Sequence, residues 1–319
     1  TTPPPPTSRA VDPAETARRY TAWFYAGELD KIWDRFSPEM RQTIGGADKL
    51  RNFRDQALAQ LGVEQTVLDE RVRPAGIYKA YERRARFTAT QVPMLVQWTL
   101  TADGTVAGFF IRPQQHEADS KYLAYETRTP LHLPFRGIWT VGWGGRTLDE
   151  NGHAFTPDQR FAYDFVVRQG GTTHQGDGTA NDQYYCFSQA ILAPGPGRVV
   201  EATDGVDENR PGELNPLQPL GNHVVLDHGN GEYSFLAHFQ KGSVAVKAGD
   251  TVKTGDLLGR CGNTGNASEP HLHYHLQDTP RFGDGNGMPA QFLDYTADAR
   301  PVPRGEPRRG QLIHPRGSP

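Results

Sequence analysis

The chain has 319 residues, a formal net charge of −3, 35 glycines and 36% hydrophobic residues. That length allows two domains and, with glycine counted, a sizeable core. The charge argues against a nucleic-acid binder, and no run of about 18 apolar residues is there to span a membrane. Residues 1–11 are rich in Pro, Ser and Thr and read as a disordered tail. A start at Thr1 rather than Met reads as the stub of a cleaved leader, hence an exported protein in the periplasm, cell envelope or medium; an arbitrary boundary is the alternative. Asp12-Pro13-Ala14-Glu15 is a helix start, with a cap, a first-turn proline and an acid at the positive end. Apolar residues then recur at helical spacing through Tyr20, Phe24, Leu29, Ile32, Trp33 and Phe36, and again from Ala47 to Leu61. After Gly62 the texture changes to strands, at Val67–Val72, Ile77–Phe87, Met94–Thr101 and Thr105–Ile111. Helices followed by an antiparallel meander predict an α+β domain over 12–115. Its Glu70, Arg71, Arg73, Glu82, Arg83 and Arg84 read as solvated strand faces.

Residues 116–126 are polar and read as a linker or bridging strand. From 127 to 298 short strands alternate with Gly, Pro, Asn and Asp, as at Leu131–Leu133, Gly137–Val141, Arg198–Glu201, Asn222–Asp227, Tyr233–Phe239 and Gly242–Val246. This is an all-β, mostly antiparallel texture. Residues 299–319 lose the hydrophobic pattern and read as a Pro/Arg/Gly tail.

The most telling stretch is His271-Leu272-His273-Tyr274-His275-Leu276. On a strand, alternate side chains face opposite sides. One face would be apolar; the other would carry a row of imidazoles fit for a metal or for proton transfer. A second strand, Tyr233-Ser234-Phe235-Leu236-Ala237-His238, ends in histidine. Asp164 lies inside the apolar run Phe161-Ala162-Tyr163-Asp164-Phe165, where a carboxylate needs a partner such as a metal, an ion pair or a backbone cap. The only cysteines are Cys186 and Cys261, and sequence alone leaves their disulfide undecided.

The segment at 12–115 resembles the nuclear transport factor 2-like cone in its order of elements and in Val96-Gln97-Trp98-Thr99-Leu100 followed by Gly108-Phe109-Phe110-Ile111. Residues of about 125–295 resemble the lysostaphin-like, LytM-type zinc metallopeptidases. That resemblance rests on Leu192-Ala193-Pro194-Gly195, Gly221-Asn222-His223-Val224-Val225-Leu226-Asp227-His228-Gly229, Leu236-Ala237-His238-Phe239, Gly249-Asp250, Gly255-Asp256, Gly262-Asn263-Thr264-Gly265 and Pro270-His271-Leu272-His273.

The resemblance implies one Zn2+ held by a His, by Asp164 and by His273. The family's first ligand precedes the aspartate by four residues, and here that position is Arg160, which stays protonated and cannot ligate. His153, in Asn151-Gly152-His153, is the expected replacement and His174 the reserve. His271 is expected as general base or water-orienting group, His238 as an oxyanion stabiliser and His275 as a supporting hydrogen-bond partner; His223 and His228 are left outside the site. The implied activity is a zinc endopeptidase that uses a metal-activated water on peptidoglycan peptide stems or cross-bridges. The alternative is a degenerate peptidase fold that binds or activates another cell-wall enzyme. Oligomeric state and the bond cleaved stay open.

Overall fold

A computed structural model of the chain describes residues 11–316, which fall into two compact units dividing at Gln114/Gln115. The tail expected over residues 1–11 therefore lies outside the described residues, Val11 excepted. No described helix is long and apolar enough to cross a membrane.

The first unit is α+β. Its helices are α1 (Pro13–Ala26), α2 (Leu29–Trp33), α3 (Pro38–Ile44) and α4 (Ala47–Leu61). Asp12 caps α1 by accepting from the Ala14 amide at 2.9 Å. The helical spacing from Tyr20 to Phe36 predicts one continuous element, but Gly27, at φ 79°, ends α1 and separates it from α2. The four strands β1 (Glu64–Ala75), β2 (Tyr78–Phe87), β3 (Met94–Leu100) and β4 (Val106–Pro113) form an antiparallel sheet in chain order. Its core joins Tyr20, Phe24 and Ile32 of the helices to Tyr81, Val96 and Trp98 of the sheet. Trp98 stacks on Phe109 at 3.9 Å and donates to Thr21 Oγ1 at 2.8 Å.

The charged residues of β1 and β2 are not simple solvated faces. Glu82 is 4% exposed and pairs with Arg71 and Arg73. Arg83 binds Glu64 at 2.5 Å and also pairs with Glu70, which Arg18 and the Tyr81 hydroxyl hold too. Successive strand residues alternate faces, but long side chains on neighbouring strands meet across the sheet, which strand-by-strand reading misses.

The described residues of the second unit form thirteen strands: β5 (Trp139–Trp143), β6 (Tyr163–Val166), β7 (Ala190–Leu192), β8 (Gly197–Thr203), β9 (Asn222–Asp227), β10 (Tyr233–Phe239), β11 (Thr251–Val252), β12 (Leu257–Arg260), β13 (Leu272–Gln277), β14 (Gly287–Met288), β15 (Phe292–Ala297), β16 (Arg300–Gly305) and β17 (Leu312–Pro315). The main sheet runs β11-β8-β9-β10-β13-β6-β5-β17-β15-β16, with β14 against β13, and all its pairings are antiparallel. Leu272, Tyr274 and Leu276 of β13 enter the core beside Phe165 and Phe292. The segment Gly242–Val246 is not a strand but a turn and loop; Ala245 alone donates to the Leu258 carbonyl, at 2.9 Å.

Two other expectations are corrected. Residues 299–316 are not a tail, because β16 and β17 complete the sheet next to β15 and β5. Prolines and arginines there mask a strand pattern in which Ile313 is fully buried. Residues 116–126 are not a free linker but are bound along the second unit. Ala118 N donates to the Ala154 carbonyl at 2.8 Å, and the Tyr125 hydroxyl donates to Glu232 at 2.9 Å. Glu232, with no exposed surface, also accepts from the Arg128 and Thr129 amides at 2.7 and 2.8 Å. The composition of this segment suggests a linker because its polar groups are spent on these bonds.

The Glu70 network makes the first unit acid-sensitive. Burial opposes ionisation of Glu70, but hydrogen bonds from Arg18, Tyr81 and Arg83 outweigh it and hold its pKa at about 2, below the usual 4.5. Its contribution is therefore complete above about pH 4.5 and lost as pH falls toward 2. Urea unfolding of the full chain, followed by the far-ultraviolet signal of the helices, should show about 2 kcal/mol of stability lost across that window, allowing for screening at exposed Arg18. Glu70→Gln should flatten that loss; an unchanged slope would refute the assignment.

Candidate metal centre

Strand pairing builds the centre. On β6, Asp164 pairs directly with His273 of β13. The two side chains share a face, and His273 Nδ1 lies 2.9 Å from Asp164 Oδ1. The other carboxylate oxygen, Oδ2, lies 2.9 Å from His153 Nε2. His153 arrives on a loop of turns, which Asn151 fixes. The Asn151 side chain has no exposed surface; its Oδ1 accepts from the His153 amide at 3.0 Å, and its Nδ2 donates to the Ala162 and Gly145 carbonyls at 3.0 and 3.1 Å. One ligand atom each from His153, Asp164 and His273 lie within 4.8 Å of one another, the one such group among the described residues. His174 is not brought in; its ring lies against Tyr184 at 5.2 Å.

Arg160 occupies the position where a ligand would be expected and is used structurally. It is 5% exposed, and its guanidinium donates to the Ala118 and Arg146 carbonyls at 2.9 and 2.7 Å. It pins the 116–126 segment and takes no part in the donor group.

Two more histidines edge the group. His271 immediately precedes β13, with Nε2 3.6 Å from Asp164 Oδ1 and Nδ1 2.8 Å from the Glu269 carbonyl. His238 is the extra residue of a bulge in β10, between Ala237, opposite His273, and Phe239. Its φ of 66° is left-handed, a conformation costly for a non-glycine residue that re-aims the side chain out of the strand's alternation. The imidazole is 4.7 Å from that of His271, and Nδ1 is 2.7 Å from the Thr264 carbonyl. Close approach of two loops makes that anchor possible. A Cβ on Gly221 would stand 2.4 Å from Thr264 Oγ1, and one on Gly265 2.4 Å from the Gly221 nitrogen. A carbonyl can only accept, so Nδ1 of both rings carries a proton, and in the neutral form of either ring Nε2 is bare.

The same reasoning decides which nitrogen of His273 is a donor atom. Gln277 Nε2 donates to the Thr279 and Arg281 carbonyls at 2.7 and 2.8 Å. Its Oε1 is thereby the acceptor for His275 Nε2–H at 3.1 Å. Neutral His275 then has a bare Nδ1, which accepts from His273 Nε2–H at 3.0 Å. Neutral His273 is left with a bare Nδ1 facing a carboxylate oxygen. Two electron-rich atoms 2.9 Å apart require a proton or a metal cation between them. Donors in tetrahedral zinc sites, bonded at about 2.0–2.2 Å, stand about 3.3–3.6 Å apart; the 2.9 Å contacts and the 4.8 Å limit of the group lie on either side of that spacing, and two imidazoles with a carboxylate are donor types that zinc takes.

The electrostatics agree. Burial works against the Asp164 charge, but His153, the largest of the opposing influences, outweighs it, and the pKa is held well below the carboxylate range. Burial pushes His153 down, yet the Asp164 carboxylate prevails and raises it. Burial keeps His238, His273 and His275 neutral, with their pKa values lowered. His275 is also stacked on Phe235 at 4.5 Å. His223 is tied to Gly221 and Glu201, and His228 to Pro196 and Ser234, outside the donor group.

Residues 180–286 match the model of Peptidase family M23. The chain carries an M23 peptidase domain. The matched residues include His238, His271 and His273; His153 and Asp164 precede them and are joined to them by the fold. The peptidoglycan DD-endopeptidase ShyA of Vibrio cholerae serotype O1 is 45% identical over 56 residues, 18% of this chain and 13% of that protein. The DD-endopeptidase ShyC of the same organism is 41% identical over 85 residues, 27% of this chain and 18% of that protein. The matches thus span less than a fifth of these curated relatives. Among solved structures, a catalytic-domain variant of the prophage-encoded M23 protein EnpA from Enterococcus faecalis aligns at 19% identity and a TM-score of 0.33, over 50% of this chain and 94% of that one.

Sequence reading does not single out Thr264, Glu269 or Gln277 for these tasks. Thr264 and Glu269 act through backbone carbonyls, which carry no residue signature. Gln277 is accessible by extending the two-residue alternation one step past His275. The anchors make a spectroscopic prediction. With 15N-labelled histidine, long-range correlation spectra at mildly alkaline pH should show His238 and His271 as Nδ1–H tautomers. An Nε2–H tautomer in either ring would contradict the anchoring.

Proposed function

We propose that this chain is a zinc-dependent endopeptidase that hydrolyses peptide cross-links of bacterial peptidoglycan, and that it acts outside the cytoplasm. The observation that carries the reading is the convergence of His153, Asp164 and His273 on one point beside His238 and His271. The substrate class follows the similar peptidoglycan DD-endopeptidases ShyA and ShyC. The scaffold alternative rests on Arg160. With His153 beside Asp164, the donor set reaches three without it, so the peptidase is the better reading.

In this proposal His153 Nε2, an Asp164 oxygen and His273 Nδ1 would hold the metal. Bound there, zinc would supply Lewis acidity for the scissile carbonyl and lower the pKa of water toward neutrality. His271 takes the proton of the attacking water on its bare Nε2, the Glu269 carbonyl keeping the ring oriented. His238, neutral and anchored at Nδ1, first accepts a hydrogen bond at Nε2 and so helps position the water. Oxyanion stabilisation by His238 needs an N–H at that atom, and therefore a ring that gains a proton during the cycle. His275 and Gln277 hold His273 in the required tautomer.

Purified protein should contain about one zinc per chain. His153→Ala, Asp164→Ala and His273→Ala should lose most of it. His271→Ala should keep the metal while release of peptides from purified peptidoglycan falls about 10²–10⁴-fold. A zinc-loaded wild type inert on every wall preparation would sink the peptidase reading.

The tautomer chain predicts a separate effect. His275→Ala and Gln277→Ala should each weaken zinc binding about 10–100-fold in competition with a chromophoric chelator. Affinity equal to wild type in both would mean that the chain does not set the donor nitrogen.

A further inference from the structure

Cys186 and Cys261 are 75 residues apart in sequence, yet their sulfurs are 3.2 Å apart. Both are buried, at 2% and 1% exposure. Their backbones are knitted together on either side. Ser188 N donates to the Cys261 carbonyl and Cys261 N to the Gln189 carbonyl, each at 2.8 Å. The Cys186 thiol donates to the Pro270 carbonyl at 2.9 Å, next to His271. Beyond Cys261, Gly262 N donates to the His238 carbonyl at 2.9 Å. The thiol pair therefore stands where the segment leading to His271 meets the segment that buttresses His238.

A metal role does not suit the pair, because no third His, Cys, Asp or Glu donor among the described residues joins it. A nucleophilic role does not suit it either, since burial lifts the Cys261 thiol well above its usual pKa and both sulfurs are shielded from solvent. A disulfide requires only that the sulfurs close to about 2.0 Å, a displacement of about 1 Å within reach of small side-chain rotations.

We propose that Cys186 and Cys261 are joined by a disulfide in the mature protein, formed by exchange with a disulfide-bearing oxidant before the two segments close. The thiolate of one cysteine attacks the oxidant's S–S bond, forming a mixed disulfide and releasing one oxidant thiolate. The second cysteine's thiolate attacks the protein sulfur of that mixed disulfide, the Cys186–Cys261 bond forms and the second oxidant thiolate leaves. Two protein thiols are oxidised, one oxidant disulfide is reduced to two thiols, and the two cysteine protons end on them. The cross-link closes a loop that contains β7 to β12, with His238 inside it, and takes the place of the Cys186 thiol's bond to the Pro270 carbonyl beside His271. It calls for an oxidising compartment during maturation and does not depend on the peptidase reading.

The test uses the full chain folded in a buffer of oxidised and reduced glutathione. The protein is denatured without reductant, alkylated with iodoacetamide and weighed. The expected product carries no alkylated cysteine and becomes doubly alkylated only after reduction. Reduction should also lower the melting temperature of the wild type by about 10 °C and leave that of Cys186→Ala/Cys261→Ala unchanged. Two alkylated cysteines without reduction, or glutathione held on separate cysteines, would overturn the proposal. Thiol counting and zinc content are independent readouts, so failure of either reading is seen separately.

Discussion

The charge of Asp164 is the constraint around which the second unit is organised. A carboxylate in an apolar strand loses most of its hydration, and the loss must be offset by positive charge or by directed hydrogen bonds. Pairing of β6 with β13 sharpens the demand by setting the bare Nδ1 of His273 opposite Asp164. The Asn151-pinned loop delivers His153 to the second oxygen. With both oxygens engaged by imidazole nitrogens, the site is matched to a cation.

Around that charge, hydrogen-bond direction does what side-chain identity alone cannot. The carbonyls of Thr279 and Arg281 orient Gln277, which orients His275, which orients His273. The carbonyls of Thr264 and Glu269 orient His238 and His271 separately. Three histidines, His238, His271 and His273, thus present chosen nitrogens at a site where an unconstrained imidazole would offer either one. The bulge at His238 and the glycine-mediated approach of residues 221 and 265 are local irregularities that this arrangement requires. The thiol pair joins the same two segments, with Cys186 bonded to the Pro270 carbonyl before His271 and Cys261 next to Gly262, which donates to the His238 carbonyl.

Much of the candidate site is legible in the order of residues alone. Period-two alternation separates His273 and His275 from Leu272, Tyr274 and Leu276, because strand geometry permits no other arrangement. Asp164 stands out because an acid in an apolar run needs a partner. The α+β order of the first unit follows from a change of period after Gly62. What fails is reading polar segments as free. The residues of 116–126 are used against Glu232, Arg160 and the Ala154 loop, and those of 299–316 are strands. In both cases composition is dominated by groups whose partners lie far away in sequence. Glu70, Glu82 and Arg83 mislead for the same reason.

By itself the sequence determined the strand that carries the histidines, the acid that needed a partner and the helix-to-strand order of the first unit. These follow from local geometry and from the free energy of leaving water, which depend on near neighbours along the chain. Tertiary structure alone decided that His153 rather than His174 stands beside Asp164, which nitrogen each histidine presents, where Arg160 is used, and that Cys186 meets Cys261. Each of those is a contact or a bond direction between distant segments, and only closure of the sheet defines it.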